Sequence, residues 1–247
     1  MTRRLAAARR SGVPEVADVL RTHFFDREED AHLDERNLHF WRALAGHVQA
    51  DRAAQPGATV LDVGCHRGGL LELMFERFQP GKLIGLEPLT SARQAAKRRL
   101  ARYAATVELH DDNGWSELAD VSVDLAFGHE VVQYIADIDG LMEQLYRVLS
   151  PGSFAYLVLG CHIENPLWPI WKGELEDMGH SVYDHAPLDL LAAGAKAGLA
   201  PALRPLRDHG WVHCDPTASR GFSYPSAGAL LDHQYRHKLL FRFERRA

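Results

Sequence analysis

Apolar residues follow two alternating patterns along this chain. Short runs of consecutive apolar residues are typical of strands covered on both faces, and apolar residues spaced three or four apart are typical of helices. The predicted strands are "ATVLDV" (58–63), "KLIGLEP" (82–88), "TVELH" (106–110), "VDLAF" (123–127), "FAYLVL" (154–159), an edge strand "PALRPL" (201–206) and a closing strand "KLLFRFER" (238–245). Helical segments between them predict an α/β fold, with a doubly wound, Rossmann-like, mostly parallel sheet of seven strands.

Three other segments lie outside this alternation. Residues 1–57 are predicted to form an N-terminal helical cap with helices at 14–25 and 32–50, and the second carries one apolar face made of Leu38, Trp41, Ala45 and Val48. Residues 58–247 form the predicted Rossmann-like domain. Within it, residues 161–186 and 209–236 are longer than ordinary connections and are predicted lids.

Composition narrows the possible partners and compartment. The 247 residues carry a net charge of −5, which disfavours a nucleic acid partner because phosphate binding needs a basic face. No stretch has the apolar length of a membrane span or the pattern of a signal peptide. The three cysteines, Cys65, Cys161 and Cys214, are an odd number without a pairing framework. We therefore expect reduced thiols in a cytoplasmic protein.

The segment "VLDVGCHRGGL" (60–70) predicts a strand, a glycine turn and a helix, which together form a cofactor cradle. A dinucleotide fingerprint laid over Gly64, His66 and Gly69 fails at His66, because its second glycine lets the backbone approach a pyrophosphate. Asp62 is also unsuited to a pyrophosphate. This turn therefore favours a ligand that carries positive charge, and it disfavours NAD.

An ordered set of segments resembles the class I methyltransferases that depend on S-adenosylmethionine (SAM). The segments are "VLDVGCHRGG", "LIGLEP", "FGHEVVQYI" and "LYRVLSPGSFAYLVL", and they cover about residues 58 to 160. The first departs from the family motif at His66, where a glycine is usual. The resemblance implies an enzyme that transfers a methyl group from SAM to O, N or C of a small-molecule acceptor and releases S-adenosylhomocysteine (SAH).

The same resemblance implies cofactor-binding positions. The turn beneath the methionine part of SAM comprises Asp62, Gly64, Cys65, His66 and Gly68. Glu87 would accept hydrogen bonds from the ribose hydroxyls, and Pro88 keeps the chain behind it extended. The adenine amine would meet one of Asp111, Asp112 and Asn113, with Asp112 the first choice. Gly128 and His129 would face the methyl group.

A general base is needed if the acceptor is a hydroxyl, whereas an unprotonated amine needs only orientation. His129 is the first candidate for this base and His162 the second, with a rate limb expected near neutral pH. The alternative for His129 is a ring that hydrogen-bonds to the backbone or to adenosine. Glu130 is predicted to start a helix, and Cys65 is predicted to be a small buried residue rather than a nucleophile.

The predicted lids leave two further questions open. Their aromatic residues either wall a pocket for a planar or apolar acceptor or form a satellite core, and these residues are Trp168, Trp171, Trp211, Phe222 and Tyr224. Histidines and cysteines also recur in the lids, at Cys161–His162, His213–Cys214–Asp215, His233 and His237. No motif joins them, so no metal is expected.

Three alternatives to small-molecule methylation remain at this level. In the first alternative the chain uses SAM for other chemistry, in the second it methylates a protein, and in the third it binds SAM without catalysis. His66 is the feature that suggests the third alternative. The expected partners are a small-molecule acceptor, with no nucleic acid and no membrane. The sequence does not determine the oligomeric state.

Overall fold

The computed structural model describes residues 27–103, 106–212 and 224–247, without the side chains of residues 27–33, 35, 36 and 112. Outside it lie the predicted helix at 14–25 and residues 213–223 of the second predicted lid, which include His213, Cys214, Asp215 and Phe222.

Seven strands form one sheet, as predicted. They are β1 (Thr59–Val63), β2 (Lys82–Leu86), β3 (Thr106–His110), β4 (Val123–His129), β5 (Leu149–Leu159), β6 (Ala200–Pro205) and β7 (Leu239–Arg245). The spatial order is β3-β2-β1-β4-β5-β7-β6, in which β1 to β5 are parallel and β7 runs antiparallel between β5 and β6. The edge position of β6 is confirmed. The order reverses between β1 and β4, where such sheets open a ligand crevice beyond the carboxyl ends of their strands.

The helices cover both faces of this sheet. They are α1 (Arg27–Ala50), α2 (Gly69–Phe78), α3 (Thr90–Leu100), α4 (Ile138–Val148), α5 (Trp168–Asp177), α6 (Pro187–Lys196) and α7 (Ala227–Asp232). Two short 3₁₀ helices, Asp112–Glu117 and Val132–Tyr134, and a π-helical turn, His233–His237, complete the described structure. No helix among the described residues is long and apolar enough to cross a membrane.

The N-terminus of α3 departs from the usual pattern, in which a Ser, Thr, Asp or Asn side chain caps the helix. Thr90 is the first helical residue and Leu89 is the N-cap, without a side-chain cap hydrogen bond. The reason is local, because the Leu89 amide already donates to Glu87 Oε1 at 3.0 Å. The carboxylate of Glu87, which follows β2, thus accepts a hydrogen bond from an amide at the start of this helix.

Two apolar clusters lie on opposite faces of the sheet. One contains Leu61 and Val63 with residues of α4, α5 and α6, and the other contains Val60 with residues of α1 and α2. The apolar face predicted for α1 is confirmed, since Ala45 and Val48 are fully buried. The C-terminal end of this helix is also fixed by Asp51, which follows it and accepts a hydrogen bond from Tyr156 Oη at 2.7 Å. α1 therefore packs directly on the strands whose ends form the crevice.

Candidate active site

The turn after β1 alternates between ordinary and left-handed backbone. Gly64, His66 and Gly68 have φ angles of 74°, 47° and 76°. A Cβ at Gly64 would lie 2.5 Å from Cγ2 of Val131, so this position excludes any side chain. His66 occupies a conformation that L-residues adopt at a cost of about 1–2 kcal/mol. The presence of histidine instead of glycine at position 66 therefore strains the backbone locally.

Glu87 links the end of β2 to this turn. Its Oε2 accepts a hydrogen bond from the His66 amide and its Oε1 accepts one from the Leu89 amide, each at 3.0 Å. Each carboxylate oxygen can accept two hydrogen bonds, so both oxygens keep an acceptor position. Pro88 follows in an exposed position, and its carbonyl accepts a hydrogen bond from Arg93 Nη1 at 2.7 Å.

Two buried carboxyls lie side by side at the ends of β1 and β2. Asp62 is 2% exposed and Glu87 is 5% exposed. Burial raises the pKa of Asp62 well above its usual range, and the charge of Glu87 raises it further. Burial also raises the pKa of Glu87, and the hydrogen bonds from the Leu89 and His66 amides, with the Arg93 charge, lower that pKa by less. The electrostatics of this pair therefore favour a ligand with positive charge.

Cys65 lies in the same turn as a buried thiol. Burial raises its pKa well above the usual range, and the neighbouring Asp62 and Glu87 add to the increase. A thiol with a raised pKa is a poor nucleophile. A Cβ at Gly85 would lie 2.5 Å from the Cys65 sulfur, so this side chain fills the space beside β2.

His66 lies close to α1 as well as to the turn. Burial lowers its pKa to about 4, and the Arg67 charge contributes, so the ring is neutral at neutral pH. Arg99 forms an ion pair with Asp34 of α1 and donates a hydrogen bond to the Arg67 carbonyl at 3.2 Å. These contacts tie the first helix to the glycine turn.

The three candidates for the adenine amine have different environments. Asp111 Oδ1 accepts a hydrogen bond from the Asn113 amide at 3.0 Å, so Asp111 caps the 3₁₀ helix that follows β3. Asn113 is exposed. The side chain of Asp112, the first choice, lies outside the described atoms.

His129, the first candidate base, is the last residue of β4. Its ring centroid is 6.0 Å from that of Phe40 and 6.2 Å from that of Trp41, both on α1. Its Nε2 is buried and has no hydrogen-bond partner among the described residues. Burial lowers its pKa well below the usual range, and the charges of Lys238 and His39 lower it further. His129 is therefore a neutral imidazole. Gly128, before it, is buried, and a Cβ there would lie 2.8 Å from Leu157 Cδ2.

Glu130 does not begin a helix, contrary to the sequence prediction. It has a left-handed φ of 52°, and the next α-helix begins at Ile138. Its Oε1 accepts a hydrogen bond from the Gly160 amide at 2.8 Å and lies 2.5 Å from the buried ammonium of Lys238. The carboxylate is thus turned toward a lysine instead of a helix N-terminus. Sequence reasoning missed Lys238, because nothing in its local pattern distinguishes a buried lysine from an exposed one.

His162, the second candidate base, is 1% exposed. Its Nε2 lies 2.8 Å from the carbonyl oxygen of His237. Because a carbonyl can only accept, Nε2 carries the proton and Nδ1 holds a lone pair in the neutral ring. Nδ1 is buried without a hydrogen-bond partner among the described residues. Burial lowers the pKa of His162 below its usual value.

The lid aromatics do not act as one group. Trp168 and Trp171 are 2% and 1% exposed and belong to the main core, which favours the core interpretation for these two. Tyr224 packs on Trp171 with ring centroids 5.6 Å apart, and Trp211 is 86% exposed. Among the described residues, no three His, Cys, Asp or Glu side chains are grouped as potential metal ligands.

Comparison with known proteins gives consistent matches. A family profile described as a methyltransferase domain matches residues 61–155. A trans-aconitate 2-methyltransferase of Variovorax paradoxus is 29% identical over 109 residues, which are 44% of this chain and 41% of that protein. The chain thus spans less than half the length of this curated relative.

Solved structures match over a longer range. One is a putative methyltransferase of Haloferax volcanii in complex with the Trm112 methyltransferase activator, with a TM-score of 0.74, 21% identity and coverage of 94% of this chain and 98% of that one. Another is the geranyl diphosphate C-methyltransferase of Streptomyces coelicolor with SAH, with a TM-score of 0.58, 20% identity and coverage of 78% and 72%. At these identities the likeness establishes the fold.

Proposed function

We propose that this chain is an enzyme that transfers the methyl group of SAM to O, N or C of a small-molecule acceptor, and the methyltransferase-domain profile that matches residues 61–155 supports this proposal. The observation that carries this proposal is the pair of buried carboxyls, Asp62 and Glu87, at the ends of β1 and β2. Both have raised pKa values, so a cationic ligand beside them is stabilised.

The residues around the turn fit SAM better than a dinucleotide. SAM carries a sulfonium and an ammonium and has no phosphate, so it brings positive charge to the carboxyl of Asp62. Glu87 keeps one acceptor position on each oxygen, which suits two ribose hydroxyls. A pyrophosphate would instead meet two buried carboxyls and the side chain of His66. The left-handed backbone of Gly64 and Gly68 shapes the turn, and Asp112 remains the first choice for the adenine amine.

The residues on the proposed acceptor side suit a reaction in which the acceptor must be aligned with the methyl group and water must be excluded. SAM supplies a methyl group on a positively charged sulfur, and that charge is lost during transfer. Phe40 and Trp41 of α1 lie against His129 and shield it from water. His129 is neutral with a buried Nε2, so it suits the removal of a proton from a hydroxyl acceptor. His162 holds a buried lone pair on Nδ1 and is the second candidate.

The identity of the acceptor is a separate step of the proposal. Relatives of this chain include a trans-aconitate methyltransferase and a malonyl-[acyl-carrier protein] O-methyltransferase of Serratia marcescens. We favour a small metabolite for this chain, because Phe40 and Trp41 beside His129 are only 7% and 9% exposed, and such an enclosed wall suits a compact acceptor. The buried thiols of Cys65 and Cys161 suit a reducing compartment, and we place the enzyme in the cytoplasm.

Calorimetric titration of the purified chain with SAM, SAH and NAD tests the cofactor assignment. We expect binding of SAM and SAH and no binding of NAD. A chain that binds NAD but not SAH would refute the proposal. Turnover of labelled SAM against a metabolite library then separates an enzyme from a SAM-binding protein, because only an enzyme forms SAH together with a methylated acceptor.

A further inference from the structure

Lys238 is a buried lysine at the junction of three elements. It directly precedes β7, and its side chain is 6% exposed. Its Nζ lies 2.5 Å from Glu130 Oε1, just beyond the end of β4, and 4.1 Å from the ring centroid of Phe40 on α1. Lysine is almost never buried to this degree unless it is paired. The Glu130 carboxylate and the Phe40 ring provide this pairing from two different elements.

Glu130 is itself held in place from several directions. Its left-handed backbone is fixed by its own amide, which donates to the Val158 carbonyl at 2.9 Å, and by its carbonyl, which accepts from Gln133 Nε2 at 2.9 Å. Its Oε1 accepts from the Gly160 amide at 2.8 Å. The ends of β4 and β5 are therefore joined through one carboxylate.

Gly160 shows how closely this group is packed. A Cβ at this position would lie 2.7 Å from Cε1 of His233, 3.0 Å from Oε1 of Glu130 and 3.1 Å from Cδ of Lys238. No side chain fits at residue 160 unless these groups move. The ion pair thus occupies a defined place in the fold and is not a mobile surface contact.

His129 adjoins this group on two sides. It precedes Glu130 in the chain, and its ring lies 6.0 Å from the same Phe40 ring that Lys238 covers. We propose that Lys238 is a positioning residue for the reaction, because its contacts with Glu130 and Phe40 hold the His129 ring against α1 at the acceptor side of the crevice. This inference rests on the proposed methyl transfer and assigns Lys238 no contact with the reacting atoms.

The charge of Lys238 supports this role. Burial lowers the pKa of His129, and two basic side chains near it, Lys238 and His39 of α1, lower it further. Glu130 is the anionic group beside them, and it is already paired with Lys238. Lys238 therefore fixes the ring and also disfavours its protonation.

Histidine NMR on the SAH-bound chain tests the proposal without an acceptor. The His129 signal is assigned by its loss in His129→Gln. It is then followed by pH titration in wild type, Lys238→Met and Lys238→Arg. Lys196→Met is the matched control, because Lys196 pairs with Asp139 at an exposed site on another face. Thermal melts and SAH affinity are measured on every variant.

We expect the pKa of His129 in Lys238→Met to rise by about one pH unit or more, the size of a close charge effect. Lys238→Arg and Lys196→Met should titrate like wild type, and SAH affinity should change less than about twofold in all folded variants. An unchanged His129 titration in folded Lys238→Met overturns the proposal. If Lys238→Met does not fold, Phe40→Leu provides the test, because it leaves the ion pair and removes the ring that His129 and Lys238 share. A His129 signal unchanged in chemical shift and titration then overturns the proposal.

These outcomes are separable from failure of the proposed function. If wild type does not bind SAH, the cofactor assignment fails before any variant is compared. Once an acceptor is known, Lys238→Met should lower kcat by about tenfold or more with little change in the KM for SAM. A rise in the KM for SAM with unchanged kcat would instead assign Lys238 to the cofactor side and contradict a positioning role.

Discussion

The proposed cofactor side and the proposed acceptor side of the crevice differ in their arrangement of charge. On the cofactor side, Asp62 and Glu87 are buried acids whose pKa values are raised, so their negative charge is only partly compensated. On the acceptor side, Glu130 is paired with Lys238, and the pKa values of His129 and His162 are lowered. One side is therefore prepared for a cation, and the other is balanced and neutral.

This difference matches the change in charge during methyl transfer. The sulfonium charge is present before the proposed reaction and absent after it, so we expect the carboxyls to bind SAM more tightly than SAH. A neutral acceptor side gives no competing site for a cation, and it leaves an imidazole ready to accept a proton. Substitutions on either side test this difference, and the expected effects decrease in the order that follows.

The largest effect is expected from His129→Gln. A general base contributes about 10²–10⁴-fold to a rate, so kcat with a hydroxyl acceptor should fall by about 100-fold. The base works when it is unprotonated, and the pKa of His129 lies well below its usual value. Wild-type rate should therefore rise with pH on the acid side and be level through neutrality. This corrects the sequence expectation of a limb near neutral pH. A pH–rate profile measures both effects.

His162→Gln is the comparison for this experiment. It should keep the wild-type profile if His129 is the base, and it should lose the acid limb if His162 takes that role. A profile unchanged in both variants would assign transfer to alignment alone. Retention of SAH affinity in both variants is the control, because neither histidine belongs to the carboxyl pair.

The next effect concerns the cofactor side. Asp62→Asn and Glu87→Gln should each weaken SAM binding, since a hydrogen bond to a charged group contributes about 1.5–3 kcal/mol. That corresponds to a loss of about tenfold or more in affinity. Glu108→Gln is the control, because Glu108 pairs with Lys82 at a more exposed site. Calorimetry measures the affinities, and unchanged SAM affinity in both carboxyl variants would refute the cofactor assignment.

The two sides also differ in how far the sequence predicts them. Asp62 and Glu87 end consecutive strands, and a parallel sheet brings consecutive strand ends together, so the pattern alone places them side by side. The acceptor side joins Phe40, His129 and Lys238 from distant parts of the chain, and local periodicity carries no information on that contact.

A smaller effect is expected on the stability of the ligand-free protein. An acid whose pKa is higher in the folded protein than in the unfolded chain lowers the free energy of unfolding when it is ionised in the folded state. The reduction is about 1.4 kcal/mol for each pH unit by which the folded pKa exceeds the unfolded pKa. The cost is absent below the unfolded pKa of Asp62, about 3.9, and is fully present above its raised folded pKa. Stability should therefore fall as pH rises through this window. Asp62→Asn removes the cost and should raise the Tm at neutral pH by about 2–4 °C per kcal/mol recovered. A lower Tm for Asp62→Asn would contradict the conclusion that the buried charge of Asp62 destabilises the ligand-free protein.

The smallest effect is expected at His66, where two left-handed residues of one turn can be compared. The contact between His66 and Glu87 uses the His66 backbone amide, so His66→Gly retains it. Glycine removes the left-handed strain but gains freedom in the unfolded chain, so stability should change by less than about 1 kcal/mol. SAM affinity should be at least as high, with most turnover retained. Gly64→Ala is the opposite case, because its Cβ would lie 2.5 Å from Val131, and it should lose both stability and affinity. If His66→Gly keeps SAM affinity but loses turnover, then the imidazole acts on the acceptor. His66 would then belong to the acceptor side of the crevice, and the glycine turn would no longer be part of the cofactor side alone.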